Sequence, residues 1–146
     1  MNGLKRVVVS VLFAGIALAG VAVHAEAVVY KSALCGCCGK YIDYLRANGM
    51  DVKAVDVANT DAVKDRLGVP ERLRSCHTMV VDGYLVEGHV PIATIKRLLQ
   101  ERPGIAGVAL PGMPPSSPGM GPQRPGSLQI FEITTRGEAG ALFAVE

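Results

Sequence analysis

Hydrophobic and polar positions change their spacing several times along the chain, and each change marks a predicted element. The apolar run at 27–30 predicts a short buried strand, and the loosely alternating residues 51–57 predict a second strand. Between the two, Tyr41, Ile42 and Leu45 recur at near-helical spacing. The first part of the chain is therefore expected to fold as a strand, a helix and a strand.

The next segment continues this alternation of helices and strands. Apolar residues four positions apart before Gly68 predict a helix that Asn59 or Thr60 caps and the glycine ends. Residues 79–86 consist of two apolar runs around an Asp-Gly pair, the pattern of a β-hairpin with a two-residue turn. An apolar stripe over 91–102 predicts the last helix, which starts at a proline and ends before a Pro-Gly pair.

The predicted order is β-α-β-α-β-β-α with a Cys-x-x-Cys turn after the first strand, which is the order of a thioredoxin-like domain. We assign residues 26–103 to this α/β domain. Residues 104–127 are rich in glycine, proline and serine, lack a hydrophobic period and are expected to form a loop. Residues 128–146 resume apolar runs, and they predict a C-terminal strand or hairpin that packs on the domain.

Residues 1–25 have the features of a secretory signal peptide. Lys5 and Arg6 precede an apolar stretch of about 17 residues, and the small residues that end at Ala25 resemble a cleavage site. An uncleaved membrane anchor is the alternative. Cleavage would leave 13 basic and 13 acidic residues, so the formal net charge of +2 belongs to the signal. We therefore expect an exported, near-neutral chain that binds no nucleic acid and is not inserted in a membrane after cleavage.

Three of the four cysteines crowd into one turn at the start of the first predicted helix: Cys35, Cys37 and Cys38. The spacing of Cys35 and Cys38 suits a dithiol–disulfide couple, because a helix N-terminus stabilises a thiolate. These two residues are the catalytic candidates if the turn is redox-active. A third adjacent thiol exceeds what such a couple needs and invites disulfide exchange. Converging thiolates suit Cu(I) or Zn(II), and a multinuclear Cu(I)–thiolate cluster is conceivable.

The fourth cysteine stands just before the third predicted strand. In a thioredoxin-like domain this loop faces the Cys-x-x-Cys turn and carries a proline, but here it offers Cys76 and His77, since Pro70 lies too early. We predict that the four cysteines form one metal site with His77 as a fifth ligand. Two alternatives stay open: Cys76 is a small buried apolar residue, or it forms a disulfide with Cys37 or Cys38.

Three further residues are candidate metal ligands: His89, which precedes the last helix, and Met113 and Met120 in the predicted loop. Imidazole binds several metals, and thioethers favour Cu(I). For each of the three, the alternative is an ordinary loop side chain without a metal role. Met79 lies in an apolar run and is expected in the core. The carboxylates are scattered, form no acid–base pair and are expected to be solvated.

Four motifs follow one another along the chain: Cys-x-Cys-Cys-Gly, Ser-Cys-His-Thr, Glu-Gly-His-Val-Pro, and Pro-Gly-Met-Pro with Ser-Pro-Gly-Met. In this combination they resemble the CopG-like periplasmic metal-binding proteins, a copper-resistance family long catalogued as a domain of unknown function. The resemblance implies a thioredoxin-like fold, a periplasmic location and sulfur-ligated Cu(I). The ligand set that it implies is Cys35, Cys37, Cys38 and Cys76, with His77 nearby.

Three functions compete for this pattern. The first is a periplasmic copper-binding protein for copper tolerance, whose partners are copper ions and other periplasmic copper-handling proteins, with or without redox cycling of the copper or the cysteines. The second is a thiol–disulfide oxidoreductase that acts on proteins, although the missing proline and the third adjacent cysteine disfavour it. The third is a structural zinc module.

Overall fold

The structure, a computed structural model, describes residues 26–146. The predicted signal peptide lies outside the described residues and stays a prediction. Within the described part, no helix combines the length and the apolar character needed to cross a membrane. In chain order the elements are β1 (Ala27–Lys31), α1 (Gly36–Ala47), β2 (Val52–Asp56), α2 (Thr60–Leu67), a 3-10 turn (Glu71–Leu73), β3 (Thr78–Val81), β4 (Tyr84–Glu87), α3 (Ile92–Glu101), β5 (Gly107–Ala109), β6 (Gln129–Ile133) and β7 (Ala139–Val145).

The seven strands form one mixed sheet in the order β2-β1-β3-β4-β5-β6-β7. β1 runs parallel to β2, and β4 runs parallel to β5. The other neighbouring strands are antiparallel, including the two hairpins β3–β4 and β6–β7. The predicted mixed α/β class is therefore confirmed, and the C-terminal hairpin extends the sheet at one side.

Local sequence signals set several element ends. Asn59 caps α2, because its side-chain oxygen accepts a hydrogen bond of 3.1 Å from the Ala62 backbone N–H. Gly68 ends the same helix in the left-handed conformation, with a φ of 76°. Asp82 and Gly83 both have positive φ, 48° and 82°, as a tight two-residue hairpin turn requires. These signals lie within a few residues of the element, so they were visible in the sequence.

The segment predicted as a loop contains one strand, β5, which is buried and pairs with both β4 and β6. Gly107 lies against Leu85, and a Cβ at this position would come within 2.0 Å of the Leu85 carbonyl oxygen. Glycine is needed for so close an approach of two backbones. A strand of three residues carries no hydrophobic period, which explains why the sequence did not predict it.

The main hydrophobic core joins the sheet to α1 and α3. Leu45, Ile95 and Leu98 of these helices are fully buried, as are Met79 and Val86 of the hairpin β3–β4. The expectation that Met79 is a core residue is confirmed. Burial of such side chains stabilises the fold by roughly 1.5–3 kcal/mol each, and it fixes the strand ends that carry the candidate site.

Three strand ends converge at one end of the sheet. Tyr30 near the end of β1 and Glu87 at the end of β4 both pair with Thr78, the first residue of β3. The cysteine turn follows β1, Cys76 precedes β3 by two residues, and His89 follows β4 by two residues. The register of the sheet therefore brings three chemically active segments to one place.

Candidate metal centre

The cysteine turn is closed by a disulfide between Cys35 and Cys38, while Cys37 and Cys76 are free. Cys35 caps α1 and Cys38 lies in its first turn, the arrangement that the Cys-x-x-Cys spacing favours. The alternative of a disulfide between Cys76 and Cys37 or Cys38 is wrong for this structure, because Cys38 is bonded to Cys35 and both Cys37 and Cys76 are free thiols.

The sulfur of Cys76 nevertheless lies against the turn. The sulfur atoms of all four cysteines lie within 4.8 Å of one another, and those of Cys35 and Cys37 are 3.5 Å apart. Sulfurs that share one ion through bonds of ~2.3 Å lie at most about 4.6 Å apart. The four sulfurs are therefore spaced much as a thiolate ligand set would be, although two of them are bonded to each other.

A second donor group shares two sulfurs with the first. It consists of Cys38, Cys76, His77 and His89, whose donor atoms also lie within 4.8 Å of one another. The Cys76 sulfur is 3.3 Å from His77 Nδ1 and 3.2 Å from His89 Nε2. The two groups form one centre, which is sulfur-rich at the partly exposed turn and contains imidazole nitrogen on its buried side.

The Pro-rich segment orients His89. The Nδ1 atom of His89 lies 2.7 Å from the Pro118 carbonyl oxygen. Because a carbonyl only accepts hydrogen bonds, Nδ1 carries the proton, and Nε2 presents its lone pair towards Cys76. The next residue, Gly119, packs on the start of α1, where a Cβ would lie 2.8 Å from the Tyr41 backbone nitrogen. The segment thus covers this side of the centre through defined contacts.

The ring of Tyr41 packs against both imidazole rings. Its ring centroid lies 4.9 Å from that of His77 and 4.8 Å from that of His89, and the two imidazoles are 5.2 Å apart. Tyr41 is fully buried, and its hydroxyl donates a 2.7 Å hydrogen bond to the Val90 carbonyl oxygen. The near-helical spacing in the sequence predicted only a place for Tyr41 in the helix, but its side chain also packs against two candidate ligands.

Burial sets the protonation of this centre. It lowers the pKa of His77 to about 3, with smaller contributions from His89 and Lys64, and it lowers the pKa of His89. Burial, reinforced by the neighbouring Cys37, raises the pKa of Cys76 to about 12. At neutral pH both imidazoles are therefore neutral and offer a lone pair directly. The Cys76 thiol, in contrast, has to release a proton when it binds a metal.

The donor chemistry fits a soft cation. Within residues 26–146, His77 Nε2 is the buried side-chain polar atom that has no hydrogen-bond partner. Leaving such an atom unpaired costs roughly 1–3 kcal/mol, so stability alone does not explain an imidazole at this position. Thiolates and neutral imidazoles are good ligands for Cu(I) and Zn(II). The residues present therefore suit either ion.

The two loop methionines differ in their placement. The Sδ atom of Met113 lies 4.0 Å from the sulfur of Cys37, at the exposed side of the turn. Met113 is 51% exposed and Met120 is 37% exposed. Of the two, only Met113 has a hydrogen-bond contact with a cysteine sulfur in the part of the chain that the structure describes.

Sequence reasoning missed the polar groups beneath the centre. Glu87 was expected to be solvated like the other carboxylates, and this is wrong, because it is fully buried and accepts a 2.6 Å hydrogen bond from the buried ammonium group of Lys64. A buried carboxylate requires such a partner. The sequence signal for its burial was weak: Glu87 directly follows the apolar run of β4.

Comparisons with known proteins point to one family. The family described as "Protein of unknown function, DUF411" matches residues 73–120. Two solved structures, named "Copper resistance protein copG- Form 2" and "Copper resistance protein copG- Form 1", are each 45% identical to this chain. The first has a TM-score of 0.76, and the match covers 84% of this chain and 98% of the solved chain. The second has a TM-score of 0.75, and the match covers 83% of this chain and 96% of the solved chain. No curated protein matches the chain.

The fold and the site define a small mixed α/β protein with a cysteine and histidine cluster compatible with metal binding. The identity of 45% extends over nearly the full length of the solved CopG chains. The chain therefore belongs to the CopG family of copper resistance proteins.

Proposed function

We propose that this protein binds Cu(I) in the periplasm and contributes to copper tolerance. The thiolates of Cys35, Cys37, Cys38 and Cys76 are the principal ligands, and the imidazoles of His77 and His89 complete the centre on its buried side. The convergence of four sulfurs and two neutral imidazoles within two overlapping groups supports this proposal most directly. The names of the two similar solved structures add independent support for copper.

Copper binding by all four sulfurs requires reduction of the disulfide. The Cys35–Cys38 bond takes up two electrons and two protons from an external dithiol, which itself becomes a disulfide, to give two thiols, and each thiol then loses its proton to become a ligand. The same couple suits redox exchange with copper. Two thiolates that form the disulfide release two electrons, which reduce two Cu(II) ions to Cu(I).

The two overlapping donor groups support the binding of more than one ion. Cys38 and Cys76 belong to both donor groups, and thiolates bridge Cu(I) ions readily. We therefore propose a multinuclear Cu(I)–thiolate cluster in the reduced protein. Thioethers also favour Cu(I), so Met113 is proposed as a peripheral ligand on the exposed side.

The proposal includes a fold assignment and a location. The order β2-β1-β3-β4, with β1 parallel to β2 and antiparallel to β3, supports a thioredoxin-like core to which β5, β6 and β7 are added. The charged and apolar pattern of residues 1–25 supports export to the periplasm. A fusion to a periplasm-selective reporter tests the location.

Metal titration under anaerobic conditions tests the function. In native mass spectrometry, we expect the reduced protein to bind several Cu(I) ions. Added Cu(I) should also displace any bound Zn(II). The oxidised protein, with only Cys37 and Cys76 as thiols, should bind fewer. A single zinc ion that excess Cu(I) cannot replace would support the structural zinc module and overturn the copper proposal.

The disulfide favours a second candidate function, that of a thiol–disulfide oxidoreductase. Cys35 lies at the N-terminus of α1, where backbone N–H groups stabilise a thiolate and favour exchange with a protein disulfide. Metal-free reduced protein should then turn over a generic disulfide substrate, and Cys35→Ser should abolish turnover. Turnover no faster than that of free dithiothreitol would exclude this second function.

A further inference from the structure

A fully buried ion pair lies directly beneath the candidate metal centre. The Lys64 ammonium group, from α2, lies 2.6 Å from Glu87 Oε1 and 3.0 Å from Thr78 Oγ1. The Thr78 hydroxyl donates a 2.5 Å hydrogen bond to Glu87 Oε2. Lys64 and Thr78 are 1% exposed and Glu87 is fully buried. The three side chains therefore form one closed network, shielded from solvent.

The network reaches the loop that carries Cys76 through one backbone hydrogen bond. The Ser75 N–H donates to Glu87 Oε1 over 2.7 Å. Glu87 thus bonds to Ser75, the residue before Cys76, and to Thr78, the residue after His77. It also lies two positions before His89. A single carboxylate connects the two segments that supply Cys76, His77 and His89.

Stability is a weak explanation for this arrangement. Moving two charges out of water costs several kcal/mol for each ion, and apolar replacements of buried ion pairs are often neutral or stabilising. An apolar pair could fill the same space, but it could not accept the Ser75 N–H. Unlike an apolar residue, Glu87 accepts hydrogen bonds from the Thr78 hydroxyl and from a backbone amide that lies beside a ligand.

We propose that Glu87 is a positioning residue for the metal centre: its carboxylate, neutralised by Lys64, fixes the Ser75–Thr78 segment so that Cys76 and His77 face His89. This inference rests on the proposed function for the identity of the ligands. It assigns no metal bond to Glu87. The carboxylate acts through the backbone of its neighbours, as groups that orient metal ligands commonly do.

Two matched double variants separate the acceptor role from the charge. Lys64→Met/Glu87→Gln removes both charges but keeps a side-chain oxygen that can accept the Ser75 N–H. Lys64→Met/Glu87→Leu removes both charges and the acceptor, and Lys64→Met/Glu87→Met serves in its place if the leucine variant does not fold. We expect Cu(I) affinity, measured by competition with a chromophoric Cu(I) chelator, to fall about tenfold in the leucine or methionine variant. It should stay within about threefold of the wild type in the glutamine variant.

The metal-free protein supplies a second measurement. In the leucine variant, amide hydrogen exchange of Ser75 should accelerate, and the NMR contacts between the Tyr41 ring and the His77 and His89 rings should weaken. Unchanged exchange, unchanged ring contacts and unchanged affinity would overturn the proposal, as would equal losses in the leucine and glutamine variants. If even the wild-type protein fails to bind Cu(I), the proposed function fails, while the exchange and NMR data still decide whether Glu87 positions this segment.

Discussion

The two sides of the candidate metal centre are built in different ways. On the exposed side, the partly exposed Cys35 and Cys37 and the fully buried Cys38 lie within four positions of one another at the start of α1. On the buried side, Cys76 and His89 come from two loops, 13 positions apart in the chain. The first arrangement depends mainly on one helical turn, whereas the second depends on the register of β3 and β4.

This difference separates the residues whose chemical state changes from the residues that are held in fixed positions. The exposed side changes with the redox state, because its disulfide removes two thiols from the ligand set. The buried side contains imidazoles that Tyr41 and the Pro118 carbonyl hold in place. We therefore expect reducing agents to act on the exposed side, and substitutions outside the ligand set to act on the buried side.

The largest effect is expected from Cys76→Ser, because this thiolate belongs to both donor groups. Apparent binding energies of about 10–16 kcal/mol for Zn(II) in four-ligand zinc-finger sites imply roughly 3 kcal/mol for each ligand, and we take this magnitude for a soft-ion site of similar ligands. The loss of one ligand should thus weaken Cu(I) binding by about 100-fold. Chelator competition on the reduced protein measures this effect, with Cu(I) stoichiometry determined on the same sample.

Cys35→Ser is the matched control for this comparison, because Cys35 belongs to the sulfur-rich group alone. It should lower Cu(I) affinity less than Cys76→Ser does. It should also leave Cys38 as a free thiol that can bind metal together with Cys76, His77 and His89. If Cys76→Ser keeps the affinity and stoichiometry of the wild type, the two sides do not form one centre.

A smaller effect is expected from Gly119→Ala, which loosens the segment over the buried side. Gly119 has a φ of +79°, and the new methyl group would lie 2.8 Å from the Tyr41 backbone nitrogen. The segment then has to shift, and the hydrogen bond from His89 to the Pro118 carbonyl weakens. The loss of such an orienting bond should lower Cu(I) affinity by about tenfold.

Gly126→Ala is the control for Gly119→Ala. Gly126 also has a positive φ, +75°, but no atom lies within 4 Å of its expected Cβ. Both variants carry a similar backbone strain of about 1–2 kcal/mol, so a difference between them reports the close approach to α1. Equal affinities in the two variants would show that the contact with α1 does not support His89.

The candidate ligands of both sides could be predicted from the sequence, and those of the cysteine turn are marked by local spacing. The spacing of Cys35 and Cys38 favoured the disulfide that the structure contains. The position of Cys76 before an apolar run, combined with the β-α-β order, predicted that its sulfur would face the turn. His89 and Met113 were candidates through residue type alone, and the structure brings both near cysteine sulfurs.

The supporting contacts of the buried side could not be predicted in the same way. The Glu87 carboxylate meets Lys64 only when α2 packs on the sheet, and the two residues are 23 positions apart. The Pro118 carbonyl and the close approach of Gly119 depend on the path of a segment without hydrophobic period. Such contacts are properties of the tertiary structure, and no local pattern of residue types marks them.

The smallest effect is expected from Met113→Leu, which tests whether the ligand set on the exposed side extends beyond Cys37 to the Met113 thioether. The Met113 thioether lies 4.0 Å from the Cys37 sulfur but is half exposed, so it competes with water and adds one weak ligand. Leucine keeps the volume and removes the sulfur, and Cu(I) affinity should fall by about threefold, a loss of roughly 0.7 kcal/mol. Met120→Leu is the matched control and should leave the affinity unchanged. Equal effects of the two substitutions would place Met113 outside the centre, whose exposed side would then end at Cys37.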